Sequence, residues 1–175
     1  MASGMLFDPM RLLRLAPLIS STGSVMYSTC ELIMNSAFLH PTIRREADVV
    51  LPRWFNTVFQ SGVAVVVGLI TITSSTSIAN IYLSYNNDLS ITEGIMALPF
   101  SAKMYALGVT CALGHLTFIP WVAPPIERLR TNTSKRGGSA EMEDWLSVHR
   151  IRWAVADFPA WVAIFLAVLT FEGTL

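Results

Sequence analysis

Long apolar stretches broken by single polar residues set the pattern of this chain. They run roughly over 15–39, 54–83, 101–122 and 153–171. Each exceeds or approaches the ~20 residues that a helix needs to cross a hydrocarbon core. The pattern therefore predicts an all-α membrane four-helix bundle, one transmembrane domain spanning 1–175 with both termini on the same, luminal side. Helix-ending signals stand at His40-Pro41 and Pro52. Asn86-Asn87-Asp88 predicts the turn of a luminal loop over 85–98. The TNTSKRGGS segment over 131–139 reads as the most flexible connector, and 141–152 as an interfacial turn leading into the fourth span. Trp54, Trp121, Trp145 and Trp153 stand at span ends, as interface anchors do.

Composition agrees with a bilayer protein, with 53% apolar and 14% charged residues. The net charge is zero and no basic block points to nucleic acid. Cys30 and Cys111 both lie in apolar stretches, so neither a disulfide framework nor a metal motif follows from them. Lys and Arg are distributed unevenly, nine in the two connectors after spans one and three against three elsewhere. That asymmetry places 40–53 and 123–152 in the cytosol, and the expected location is an endomembrane such as the endoplasmic reticulum. Asn132-Thr133-Ser134 matches a glycosylation sequon, but this orientation hides it from the lumen.

The candidate chemistry lies where the apolar pattern breaks. Ser24, Ser28, Glu31 and Asn35 follow at spacings of four, three and four. They fall within a wedge about 60° wide on one helix. Ser20, Ser24 and Ser28 also form a ridge of small residues that lets another helix approach. Asn56 and Gln60 share a face of the second span. Gly108, Cys111 and His115 share one of the third, and Asp157 lies early in the fourth beside Pro159. Ionisable groups at membrane depth cost about 2.5–3.5 kcal/mol each and mark functional sites by default. The predicted orientation gathers Asn35, His40, Asn56, Gln60, His115, His149, Arg152 and Asp157 in one half of the bundle, with Glu31 nearer mid-depth.

Apolar walls with a few convergent polar groups describe a small-molecule pocket. An imidazole and carboxyls in such a pocket can act as acid and base, and amides can hold an enolate or oxyanion. The catalytic candidates are His115 as base, Glu31 or Asp157 orienting it, and Asn35 or Asn56 as oxyanion donors. Gln60, His40, His149, Arg152 and Trp153 are candidates for substrate binding. No HxxxH or HxxE spacing suggests a metal, and no phosphate loop, dinucleotide fingerprint or nucleophile elbow suggests a cofactor. The expected partners are a lipophilic small molecule and membrane lipid, with the oligomeric state open.

Three segments carry a family resemblance. Thr117-Phe118-Ile119-Pro120-Trp121 with Pro124-Pro125-Ile126-Glu127-Arg128-Leu129, and Trp145-Leu146-Ser147-Val148-His149-Arg150-Ile151-Arg152, are the clearest. Gly23 and the Trp54–Gly62 stretch fit more loosely. The chain resembles the four-span integral membrane proteins related to fungal anthrone oxygenases of secondary metabolism. It departs in having Ile126 and Glu127 where asparagines follow the proline, and in a later Pro159. The resemblance implies an enzyme acting on a lipophilic aromatic or polyketide-like carbonyl compound, by oxygenation of an anthrone to a quinone without a cofactor. The same acid and base groups would also serve a non-oxidative cyclase or isomerase. A small transporter or structural membrane subunit is a further alternative.

Overall fold

The computed structural model of the chain describes residues 8–88 and 98–170, except for the side chains of 85–88. The predicted luminal loop therefore lies largely outside the described residues, as does the end of the fourth apolar stretch. Among the described residues there are only helices and turns. Helix α1 spans Pro9–Ala37, and α2 spans Arg44–Asp88. Helix α3 (Phe100–Gly114) runs through a 3₁₀ turn, His115–Phe118, into α4 (Ile119–Arg130). Helix α5 (Gly138–Arg152) runs through a π turn, Trp153–Asp157, into α6 (Phe158–Leu169). The result is a bundle of four rods. Three of them, Arg44–Ser84, Phe100–Arg130 and Gly138–Leu169, are long and apolar enough to cross a membrane. The first rod, α1, is long enough but is diluted by its serines, arginines and Glu31.

The rods start and stop for identifiable reasons. Asp8 caps α1 by accepting from the Met10 N–H at 2.9 Å, and Pro9 follows at a position where no N–H is needed. The helix ends at the His40-Pro41 turn, where His40 Nδ1 binds Thr42 Oγ1 at 2.7 Å. Pro52 does not end a helix, because α2 begins eight residues earlier and continues through it. A proline there removes the bond to the Asp48 carbonyl. Asp48 faces the next connector instead, and its Oδ1 accepts from the Ser139 N–H at 2.7 Å. Asn86, Asn87 and Asp88 also continue α2 rather than forming a turn.

Two connector expectations change as well. Gly138, Ser139 and Glu141 are buried, so the end of the 131–139 segment is docked against the bundle. Glu141 accepts from Arg128 Nε at 2.9 Å and Ser134 Oγ at 2.8 Å, and pairs with Arg136 at 3.3 Å. Gly137 sits at φ +95, and a Cβ there would stand 2.6 Å from Asp48 Oδ1. Glycine is therefore required on both counts. Residues 141–152 form a full helix with a buried face, because Met142, Trp145, Leu146 and His149 recur at three- and four-residue intervals. Met142, Trp145 and Leu146 join Ala47, Leu51, Phe55, Val122 and Leu129 in the larger core, at the end of the two basic connectors. Trp145 is thus a core residue rather than an interface anchor.

Small residues bring the rods together at the other end. Gly108 lies against Ile164, where a Cβ would come within 2.5 Å of Ile164 Cγ1. Ser20 Oγ and Thr73 Oγ1 share a hydrogen bond of 2.7 Å between α1 and α2, so the serine ridge of α1 is a packing surface.

Candidate active site

Two irregular turns place the chemistry. His115 opens the 3₁₀ turn before Pro120, and Asp157 closes the π turn before Pro159. Each proline lacks the N–H that a regular helix would use, so the preceding turn is free to tighten or widen. In the π turn the Phe158 N–H reaches back five residues to the Trp153 carbonyl. The two turns face each other across the bundle. His115 Nδ1 lies 2.8 Å from Asp157 Oδ1, and both side chains are buried.

Asp157 is a hub. Its Oδ2 accepts from Ser28 Oγ at 3.1 Å and lies 3.7 Å from Arg152 Nε. His149, fully buried, lies 3.0 Å from the Ser28 carbonyl through Nε2 and contacts Arg152 through Nδ1. A carbonyl can only accept and a guanidinium can only donate. His149 therefore carries its proton on Nε2 and presents Nδ1 to Arg152. Its Nε2 also stands 3.9 Å from Glu31 Oε2. Tyr27 stands one turn before Glu31 and lines the same cavity, and a Cβ at Gly62 would stand 2.8 Å from the Tyr27 hydroxyl. Glycine at 62 is what allows that tyrosine to fit. Two carboxyls, two imidazoles and one guanidinium thus form a connected cluster.

One side of the cluster opens onto a cavity of about 760 Å³ between α1, α2 and the α3–α4 rod, with Trp145 and Arg152 also lining it. His115, Glu31, Asn35 and Arg152 line it together. Asn35 Nδ2 donates to the Glu31 carbonyl at 2.7 Å. Phe55 and Phe59 form an aromatic wall with Trp54 and Trp145, their ring centroids 5.9–6.2 Å apart from neighbour to neighbour. Arg130 rests over Phe59 at 4.4 Å. The volume lies within the range of small-molecule sites, and the lining has their composition.

Of the residues expected at a site, His115, Glu31, Asn35 and Arg152 meet at this cavity. Asp157 touches His115 from behind, and His149 touches Arg152 from behind. Asn56 is exposed and binds Arg130 Nε at 3.3 Å, outside the cavity. Gln60 is exposed on the outer face of α2, and His40 is spent in the turn after α1. Trp153 donates from Nε1 to Thr29 at 3.1 Å, away from the cavity. Asn56 and Gln60 share a face, as their spacing predicts, but that face points outward. Sequence reasoning missed Tyr27, Phe55, Phe59 and Arg130. Tyr27 was legible in part, since it precedes Ser28 and stands one turn before Glu31.

Comparison with known proteins finds relatives that carry epoxidase names. The chain is 26% identical over 161 residues to a protein named epoxidase pydX from an Acremonium species, covering 92% of this chain and 94% of the relative. It is 25% identical to a probable epoxidase, scpX, from Mollisia scopiformis, covering 91% and 95%. It is 23% identical to the epoxidase gkaX from Penicillium citrinum, covering 92% and 95%. No family model matches the chain. No solved structure matches it.

Proposed function

We propose that this protein is a membrane-embedded oxygenase of secondary metabolism, which epoxidises a carbon–carbon double bond of a lipophilic, polyketide-like substrate held in the cavity. The observation that carries the reading is the buried His115–Asp157 pair, 2.8 Å apart, at the wall of a large apolar cavity. Three relatives that bear epoxidase names, aligned over more than nine-tenths of the chain, favour oxygen transfer onto a double bond over conversion of an anthrone to a quinone.

Each residue has a role that its surroundings support. Asp157 holds His115 by Nδ1, which leaves Nε2 to take or return a proton at the bound molecule. Arg152 carries a positive charge at the cavity wall and would hold an oxyanion or enolate that develops there. Asn35, whose amide nitrogen is engaged with the Glu31 carbonyl, supports that wall. Arg152 thus takes the part that sequence reasoning gave to Asn35 or Asn56. Glu31 and Tyr27, one helical turn apart on the same cavity wall, would serve as a second acid–base pair. With dioxygen as the donor, one oxygen atom enters the epoxide and the other leaves as water, at the expense of two electrons and two protons from a reductant. With a hydroperoxide donor no reductant is needed. The connectors at the cavity end carry nine of the twelve Lys and Arg residues, so we place that end in the cytosol of an endomembrane.

A cyclase or isomerase is the second reading, because the His115–Asp157 pair by itself requires no oxygen. Deleting the gene in the producing organism separates the readings by the composition of what accumulates. The expected precursor is lighter than the lost product by one oxygen atom. A precursor lacking one oxygen and carrying two extra hydrogens would instead indicate a methylene-to-carbonyl oxygenation. A precursor isomeric with the product would overturn the oxygenase reading in favour of the cyclase.

A further inference from the structure

We infer that the cavity is entered sideways from the bilayer core, by an uncharged amphiphile that inserts its polar end first and leaves its apolar tail toward lipid. The inference deepens the proposed function and rests on that reading for the identity of the reacting group. It rests on the distribution of exposure around the cavity. Met34 on α1, Val67 on α2 and Ile119 on α4 all line it and are 65%, 51% and 53% exposed. Asn35, His115 and Arg152 line it too and are 4%, 6% and 7% exposed. All three walls thus carry apolar residues at the rim, with Asn35, His115 and Arg152 at depth and charged lining groups at the rim only near the end of α4.

The placement of the rim matters as much as its composition. Val67 and Ile119 belong to rods long and apolar enough to cross a membrane. A rim built from such residues borders hydrocarbon, not water. A water-filled entrance would need polar groups along its rim, since water does not wet an apolar constriction readily. A lipid-dissolved molecule meets no such barrier. Its apolar part exchanges one hydrocarbon surrounding for another, while its polar part gains hydrogen-bond partners found only on the floor. The charged groups that do line the cavity near α4's end, Glu127 and Arg130, are paired at 4.0 Å, and Arg130 also covers Phe59. A charged head entering there would have to displace that pair. The geometry thus selects a neutral substrate with one polar, reactive end and a hydrocarbon body.

Cys30 makes the inference testable without any knowledge of the reaction, because its thiol lines the same cavity and is exposed. In a Cys111→Ser variant it is the single thiol left. Reconstituted in lipid nanodiscs, this variant is treated with a neutral lipophilic reagent, N-phenylmaleimide, or with an anionic stilbene-disulfonate maleimide. Both rates are normalised to the reaction with glutathione. The expected result is labelling by the lipophilic reagent at least tenfold faster. 1-Dodecanol should protect Cys30 more strongly than dodecane at equal membrane loading. Ile119→Lys and, separately, Met34→Lys place an amine on the rim and should slow the lipophilic reagent severalfold in protein that remains monodisperse. Equal normalised rates, or faster reaction with the anionic reagent, would overturn lateral entry in favour of a water-filled mouth. Equal protection by the two probes would overturn polar-end-first insertion. Because no turnover is measured, lateral entry can stand if epoxidation fails, and epoxidation can stand if lateral entry fails.

Discussion

At the residue scale, His115 is the position on which the proposed chemistry turns. It is buried, held by Asp157 and shared with the cavity. A positioned base contributes typically 10²–10⁴-fold in rate. His115→Ala should lower turnover of the accumulated precursor by about that factor while the protein still elutes as a single folded species. Asn35→Ala should lose less, since it removes a supporting amide and not the proton acceptor. Turnover in detergent, with size exclusion as the folding check, decides. Undiminished turnover in a folded His115→Ala protein would move the base to Glu31. A second residue-scale expectation concerns packing. Gly108 is buried, and any Cβ there meets Ile164 at 2.5 Å. Gly108→Ala should destabilise the bundle by about 1–3 kcal/mol, the usual range for overpacking. Thermal unfolding should show a lower midpoint than wild type, restored in part by adding Ile164→Ala. A lone Gly108→Ala with an unchanged midpoint would mean that the two helices separate easily there.

At the element scale, the irregular turns place the residues of the proposed chemistry. The π turn adds one residue to the α5–α6 rod, and it sets the direction in which Asp157 points. Removing a residue from that turn should restore a regular helix. It would also remove the widened turn that now holds Asp157 against His115. Ala154 is exposed, so its deletion costs no core packing. The variant lacking Ala154 should keep its helical content and lose turnover as severely as His115→Ala. Circular dichroism and the turnover assay together check this, and full activity in the deletion variant would show that the π turn is dispensable. Proline spacing hinted at both turns, since Pro120 and Pro159 follow the two key residues closely. Spacing alone does not reveal whether a helix tightens, widens or ends. Pro52 illustrates the difficulty, because α2 continues straight through it.

At the scale of the whole molecule, orientation is the open expectation with a direct test. Thr133 is exposed in the α4–α5 connector, whereas Ser139 is buried and would make a poor probe. In a cysteine-free background, Thr133→Cys should react with a membrane-impermeant maleimide on sealed microsomes, whose outer face is cytosolic. Reaction only after permeabilisation would invert the proposed orientation. The bundle also explains why the candidate site lies in one half. The larger core and the aromatic wall lie at the end of the basic connectors, where α4 and α5 pack beneath the cavity. At the far end, Tyr105, Ile164 and Ala167 close the rods together.

The sequence by itself determined the helical class, the membrane character and the short set of residues able to do chemistry. Hydrophobic runs and the cost of burying charge in lipid are local properties, readable from residue order alone. It also placed Ser28, Glu31 and Asn35 on one face, because helical periodicity is a one-dimensional rule. Tertiary structure decided which faces meet. Asn56 and Gln60 share a face as legibly as Glu31 and Asn35 do, yet theirs turns outward. Only packing distinguishes the two. The pairing of His115 with Asp157, forty-two residues apart, depends on how two irregular turns are set against each other. No periodicity in either segment encodes that relation, because it is fixed by the steric fit of four rods around one cavity.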